Sequence, residues 1–84
     1  MRPYIIVTVQ TDNKDFVYDI EVPTNVPAGR LGSDILEALN AHDQIISTLA
    51  LKGSLFCKRL SMTIPEEMTF LEAGVWSGDV IVIF

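Results

Sequence analysis

The single histidine and the single cysteine are the residues that could form a catalytic base and nucleophile. His42 lies near the predicted end of a helix, and Cys57 lies in a predicted strand. A nucleophile of this kind needs a neighbouring base and usually a glycine-rich turn that presents it beside oxyanion donors. No such turn surrounds Cys57 in the sequence, so we interpret the pair as a helix-end histidine and a partly buried cysteine.

Glu66-Glu67 is the other candidate for chemistry, because paired carboxylates can act as general acid and base. Adjacent residues usually point in different directions, so a solvated loop is the better interpretation. The Gly29–Gly32 segment lacks the lysine, serine or threonine spacing of a phosphate-binding loop. One cysteine allows neither an internal disulfide nor a multi-thiolate zinc site or iron–sulfur cluster. We therefore predict no catalytic residue, no metal and no cofactor, and a protein that is not an enzyme.

The length and charge of the chain limit its partners. We assign residues 1–84 to one domain, and the 49% hydrophobic content is typical of a globular chain. Eleven acids against six bases give a net charge of -5, which disfavours nucleic acid and anionic membrane surfaces. The longest apolar run, Val80–Phe84, is too short to insert into a membrane. With no signal peptide and one cysteine, the sequence predicts a cytoplasmic location.

The first half of the chain predicts a hairpin. Tyr4–Val9 is rich in apolar and β-branched residues, and Phe16–Val22 alternates between apolar and polar positions. Both patterns are typical of strands, and a short polar segment separates them. We therefore expect two antiparallel strands joined by a turn.

A helix is predicted to follow, with Pro27 in its first turn. Gly29 and Gly32 each disfavour a helix by about 1 kcal/mol relative to alanine, so a firm helix is expected only from about Ser33. It should end near His42. The apolar residues spaced every four positions along it are Leu31, Ile35 and Leu39.

The second half predicts three further strands and one helical turn. Ile46–Lys52 and Ser54–Met62 are the third and fourth strand candidates, and Gly78–Phe84 is the last strand. Thr69–Glu72 has the sequence of a capping box, in which the threonine and glutamate bond reciprocally at a helix start. Gly74 can take the left-handed conformation that ends the helical turn.

The resulting order is ββαββ, with one helix packed on a mixed sheet and a short helical turn before the last strand. This is an α+β class and the β-grasp arrangement. The helix crosses over the sheet so that the first and last strands can pair in parallel, and a right-handed crossover is expected.

Two segments carry a resemblance to a known family. In Tyr18–Pro27 the second strand runs into a Val-Pro-x-x-x-Pro sequence and then the helix, and Leu71–Ile81 places Gly-Asp before the last strand. Together these segments resemble the YukD/EsaB family of small ubiquitin-like proteins. That family is associated with the type VII (WXG100 or ESX-type) secretion systems of Gram-positive bacteria.

The resemblance implies a non-catalytic ubiquitin-like adaptor that binds a component or regulator of a type VII secretion machine. The chain lacks a Gly-Gly tail after Phe84, so conjugation or sulfur transfer through the carboxyl end is not expected. The alternative is the cytosolic ubiquitin-like domain of a membrane component of an ESX-type machine, with a structural or dimerising role. A homodimer is compatible with that alternative.

The protein-binding site is expected on the sheet face opposite the helix, which is more apolar than a solvated face requires. Lys52, Lys58 and Arg59 could form a positive rim around it. Trp76 is expected to pack beside the last strand, and the alternative is that it anchors an interface. The residues assigned to this site are Tyr4, Ile6, Thr8, Ala50, Lys52, Val80, Val82 and Phe84.

Overall fold

The computed structural model describes residues 3–14, 16–42 and 51–84. These residues form a mixed sheet and two helices. The strands lie side by side in the order β2-β1-β5-β3-β4. The elements along the chain are β1 (Tyr4–Gln10), β2 (Val17–Pro23), α1 (Ala28–His42), β3 (Leu55–Cys57), β4 (Met62–Thr63), α2 (Phe70–Ala73) and β5 (Val80–Ile83).

β1 lies inside the sheet, with one antiparallel and one parallel neighbour. It pairs antiparallel with β2, from Tyr4 opposite Pro23 to Gln10 opposite Val17. On its other side it pairs in parallel with β5, where Val9 lies opposite Ile81. The predicted hairpin and the predicted parallel pairing of the first and last strands are therefore confirmed.

The core lies between α1 and one face of the sheet. Successive strand residues point to opposite faces, so alternate positions of β1 and β5 share the buried side. Val7, Val9 and Ile81 are completely buried there, and they form one cluster with the leucine and isoleucine stripe of α1. Burial of each such side chain stabilises the fold by roughly 1.5–3 kcal/mol, which makes this cluster its main source of stability.

The helix starts earlier than its glycines predict. α1 begins at Ala28 instead of about Ser33, and the Leu31 N–H donates to the Pro27 carbonyl at 2.9 Å. A Cβ at Gly32 would overlap the carbonyl oxygen of Gly53. Gly32 therefore allows two backbones to approach closely, and packing outweighs its low helix propensity.

The predicted third and fourth strands are wrong in their bounds. Most of Ile46–Lys52 lies outside the described residues, and residues 51 and 52 are not in a strand. Ser54–Met62 is not continuous, because β3 ends at Cys57 and a turn separates it from β4. In that turn the Ser61 N–H donates to the carbonyl of Lys58 at 3.2 Å, and Ser61 has φ of 52°.

The short helix α2 has the predicted ends. The Thr69 hydroxyl accepts from the Glu72 N–H at 3.1 Å, while the Glu72 carboxylate accepts from the Thr69 N–H at 3.0 Å. Gly74 follows with φ of 82°, and its N–H donates to the Phe70 carbonyl. The capping box and the glycine stop are therefore confirmed, and they fix where the loop to β5 begins.

Candidate protein-binding surface

The outer face is the sheet surface opposite α1. It carries the side chains of β1 and β5 that alternate with the core residues, including Thr8 and its partner Val80. Tyr4 and Ile6 are 53% and 52% exposed on this face, whereas Thr8 and Val80 are half-buried. Two large apolar side chains at the start of β1 are therefore available to a partner.

Val82 occupies the middle of the outer face but is only 7% exposed. It lies between Gln10 of β1 and Phe56 of β3, and Gln10 is itself buried. Phe84 is exposed, beyond the end of β5. The exposed apolar residues assigned to the site therefore lie toward opposite ends of the sheet, and the centre offers little contact area.

The basic residues near β3 do not act as one group. Lys52 and Lys58 are exposed, and the Lys52 N–H donates to the Phe84 carbonyl at 3.2 Å. Arg59 is instead held by an acid. The predicted positive rim therefore keeps only the two lysines. Ala50, the remaining residue assigned to the site, lies outside the described residues.

Arg59 joins the loop before β5 through three hydrogen bonds. Its Nε donates to Asp79 Oδ1 at 2.8 Å, and one terminal nitrogen donates to Asp79 Oδ2 at 2.9 Å. That same nitrogen donates to the Gly74 carbonyl at 2.6 Å. Bidentate pairs of this kind fix the relative orientation of both groups, so the turn after β3 and the loop before β5 are locked together.

Trp76 is exposed, contrary to the prediction that it packs beside the last strand. Its side chain is 64% exposed, the largest exposed fraction among the large hydrophobic residues of the described chain. The Arg59 guanidinium carbon lies 3.9 Å from the centre of the indole ring. A cation over the ring face holds the indole in place without burying it.

The loop that carries Trp76 is attached to β1. The Ile6 N–H donates to the Ser77 hydroxyl at 3.2 Å, and the Gly78 N–H donates to the Ile6 carbonyl at 2.7 Å. Trp76 therefore lies at the same end of the sheet as Tyr4 and Ile6. We call these three side chains the aromatic end of the sheet.

Asp79 is the buried centre of this arrangement. The Trp76 N–H donates to Asp79 Oδ2 at 2.8 Å, in addition to the bonds from Arg59. The hydrogen bonds from Arg59 hold the pKa of Asp79 below its usual value, and the Trp76 N–H acts in the same direction. Asp79 in turn raises the pKa of Arg59. The carboxylate is therefore ionised and satisfied at neutral pH.

The sequence contains no signal for the Arg59–Asp79 pair. The two residues are 20 positions apart, and Arg59 lies in a turn that the pattern assigns to a continuous strand. The Gly-Asp sequence before the last strand is recognisable, but nothing in it indicates that Asp79 binds an arginine. Arg59 becomes a candidate partner only when β3 is known to end at Cys57.

The candidates for chemistry lie on different elements of the fold. Cys57 is completely buried on the core side of β3, where a substrate in solvent has no access to its thiol. α1 ends at His42, and Glu66 and Glu67 are exposed in a loop. Among the described residues, no group of three or more His, Cys, Asp or Glu could hold a metal ion. None of the helices in the described ranges is long and apolar enough to cross a membrane.

Solved structures with similar folds include a ubiquitin-like domain. The ubiquitin-like domain of an Arabidopsis thaliana protein is 16% identical and superposes with a TM-score of 0.62, over 99% of this chain and 78% of that one. A chain of the toluene 4-monooxygenase HD complex with the inhibitor 4-bromobenzoate is 18% identical, with a TM-score of 0.66 over 95% of each chain. At these identities the likeness concerns the fold alone, and it confirms the predicted ubiquitin-like class.

The family comparison covers nearly the whole chain. No curated protein matches the sequence. The profile of the family described as WXG100 protein secretion system (Wss), protein YukD, matches residues 4–83, which include all the strands and helices of the described residues. The chain therefore belongs to the YukD family of the WXG100 protein secretion system.

Proposed function

We propose that this protein is a non-catalytic adaptor of a type VII secretion system. In this proposal it acts in the cytoplasm and binds a component of the secretion machine, or a regulator of it, through the outer face of its sheet. Family membership supports the association with secretion. The exposure of Tyr4 and Ile6 on the outer face, with Trp76 exposed in the loop attached to the same end of β1, is the observation that supports binding there.

The aromatic end has the properties of a binding site. Each of its three side chains is more than half exposed, and all three are apolar or aromatic. Clustered exposed apolar groups are uncommon on small soluble domains and often mark an interface. Tryptophan and tyrosine are also the residue types that most often dominate binding energy. The site is therefore expected to extend from Tyr4 to Trp76, with Phe84 outside it.

The backbone of the aromatic end is held in place before any partner arrives. Ile6 belongs to a strand with neighbours on both sides, and Ser77 attaches the loop to that strand. The Arg59 guanidinium also contacts one face of the Trp76 indole. Because the backbone and this indole are already placed, the entropic cost of ordering them on binding is reduced.

The test compares Ile6→Lys with Phe84→Lys in a strain that lacks the gene. Phe84 is a matched control, since it is an exposed hydrophobic residue, at 46%, that lies outside the aromatic end. We expect the wild type and Phe84→Lys to restore secretion of WXG100 substrates and to crosslink to a secretion ATPase or membrane component. Ile6→Lys should do neither, although its circular dichroism spectrum and thermal unfolding match the wild type.

Two results would contradict the proposal at different points. If the deletion strain secretes WXG100 substrates normally while the machine is active, the adaptor function is wrong. If Ile6→Lys restores secretion and crosslinks as well as the wild type, the function stands but the aromatic end is not the site.

A further inference from the structure

We propose a second binding surface, at the edge of β2 that no described strand covers. The geometry points to an extended segment of another protein that adds to β2 as a further strand. In this partner segment, apolar residues that enter the groove beside α1 alternate with basic residues that face the acids of β2. This surface is distinct from the aromatic end, and its test does not depend on secretion.

β2 lies at the margin of the sheet and pairs with β1 alone among the described strands. Antiparallel pairs alternate between positions that bond to the neighbour and positions that bond outward. The Thr24 N–H donates to the Pro3 carbonyl, and the Thr11 N–H donates to the Phe16 carbonyl. The even positions from 16 to 24 are therefore the ones whose backbone groups bond inward, to the β1 side.

The outward groups of β2 therefore belong to the odd positions. These are the N–H and C=O groups of Val17, Asp19 and Glu21, followed by the carbonyl of Pro23. Proline has no N–H, so the available edge ends there, as is usual for proline in an edge strand. The row of outward donors and acceptors spans the seven residues of β2, enough for an added strand of similar length.

A continuous groove runs beside this edge, between β2 and α1. One depression is bounded by Tyr18, Ile20, Ala38 and Leu39, and a second shares Ile20 and Ala38 and continues to Leu31 and Ile35. Ala38 is exposed, and its small side chain leaves the space open. Alternate side chains of an added strand would point to this side of the sheet and pack against those apolar walls.

The charges around the edge select a basic partner. Asp19 and Glu21 point to the outer face from β2, and Asp34 borders the groove from α1. The Asp19 carboxylate is held by the Thr8 hydroxyl at 2.7 Å, and Arg30 approaches Asp34 at 3.8 Å in an exposed pair. Glu21 is exposed. A partner with lysine or arginine at alternate positions would pair with the β2 acids, while an acidic one would be repelled.

The same charges disfavour a second copy of this chain as the occupant. Pairing β2 with β2 would bring the acids Asp19 and Glu21 of both copies onto one strip of sheet. Like charges directly opposite each other destabilise strand pairing, and each copy carries a net charge of -5. Charged residues on an edge strand also protect against such self-association.

The test uses a synthetic peptide as the probe, acetylated and amidated Val-Lys-Val-Lys-Val-Lys-Val. The control peptide has the same sequence with glutamate in place of lysine. We expect the lysine peptide to shift the backbone amide signals of β2 in NMR spectra. It should also slow hydrogen exchange at the outward amides of Val17, Asp19 and Glu21, which strand addition would protect.

Variants of the groove and of the edge test the two parts of the proposal separately. Ala38→Phe fills the groove and should abolish peptide binding, whereas Asn40→Phe, at an exposed position of the same helix, should bind normally. Glu21→Lys should weaken binding about fivefold, as expected for reversing one exposed ion pair. Glu67→Lys makes the same charge change in the loop before α2, which lines neither depression of the groove, and should have no such effect.

Three outcomes would overturn the proposal. The first is that the lysine peptide leaves the outward amides unprotected at saturating concentration. The second is that the glutamate peptide binds as well as the lysine peptide, which would remove the charge selection. The third is concentration-dependent protection of those amides without peptide, accompanied by dimer in sedimentation, which would make a second copy the occupant.

Discussion

Asp79 shows how one buried carboxylate organises the surface around it. It accepts hydrogen bonds from the guanidinium of Arg59 and from the backbone of Trp76. The guanidinium also donates to the carbonyl of Gly74. Arg59 therefore holds together both ends of the loop that joins α2 to β5. The backbone of Trp76 and the Arg59 guanidinium over its indole are thus both held by a carboxylate that is only 7% exposed.

Replacement of Asp79 by asparagine should destabilise the protein by about 1–3 kcal/mol, because a buried network loses its charge-assisted hydrogen bonds. Urea unfolding followed by circular dichroism measures this change. Asp12→Asn, at an exposed position in the hairpin turn, is the control and should change the stability by less than about 0.5 kcal/mol. Equal stability of the two variants would show that the network contributes nothing.

The pH dependence of this difference has a definite sign. The pKa of Asp79 is lowered in the folded protein, so its contribution is fully present above its unfolded pKa, near 3.8. It is lost as the pH falls from there through the folded pKa. The stability difference between the wild type and Asp79→Asn should therefore be constant near neutral pH and shrink below about pH 3.8. A difference that grows on acidification would contradict the assigned protonation state.

The elements differ in how far the sequence predicts them. β1, β2 and β5 have at least four residues each, long enough for burial to leave an alternating or continuous apolar pattern. β3 and β4 have three and two residues, so their periodicity cannot be distinguished from that of a turn. The sequence therefore predicts the hairpin and the last strand but misplaces the bounds of β3 and β4, which lie between them in the chain.

At Gly32 the low helix propensity of glycine leads to a wrong prediction of where α1 begins. The sequence-based expectation treats the residue as a weak point of α1. In the fold it is the position at which the helix passes the backbone of Gly53. A contact between two residues 21 positions apart leaves no mark in the helical pattern, so the start of α1 could not be placed correctly from the sequence.

Gly32→Ala should therefore destabilise the protein, although alanine favours a helix by about 1 kcal/mol over glycine. The added methyl group would force the backbone of Gly53 away, and overpacking of this kind costs about 1–3 kcal/mol. Thermal unfolding is the measurement. Asn40→Ala is the control, since it raises helix propensity at an exposed position and should leave the stability unchanged or slightly higher. A more stable Gly32→Ala variant would show that the close approach does not constrain the helix.

The molecule as a whole presents two separate surfaces on a small acidic domain. The aromatic end is apolar and lies where β1 starts, whereas the β2 edge combines outward backbone groups with acids. The first surface is suited to a partner with an apolar pocket, and the second to an extended basic segment. An adaptor needs two such sites if it is to connect two proteins, and neither site requires a change in the fold.

The charge of the chain leads us to expect a monomer in solution. A stable dimer interface buries about 800 Å² on each partner, far more than three side chains at the aromatic end provide. Extending the contact toward β2 would bring Asp19 and Glu21 of two copies together, and the net charge of -5 adds to the repulsion. Sedimentation velocity at low salt should therefore show a monomer at every accessible concentration. Raising the salt screens charge repulsion, so a dimer that forms only in high salt would support this explanation. A dimer already stable at low salt would contradict it and would favour a structural role over that of an adaptor.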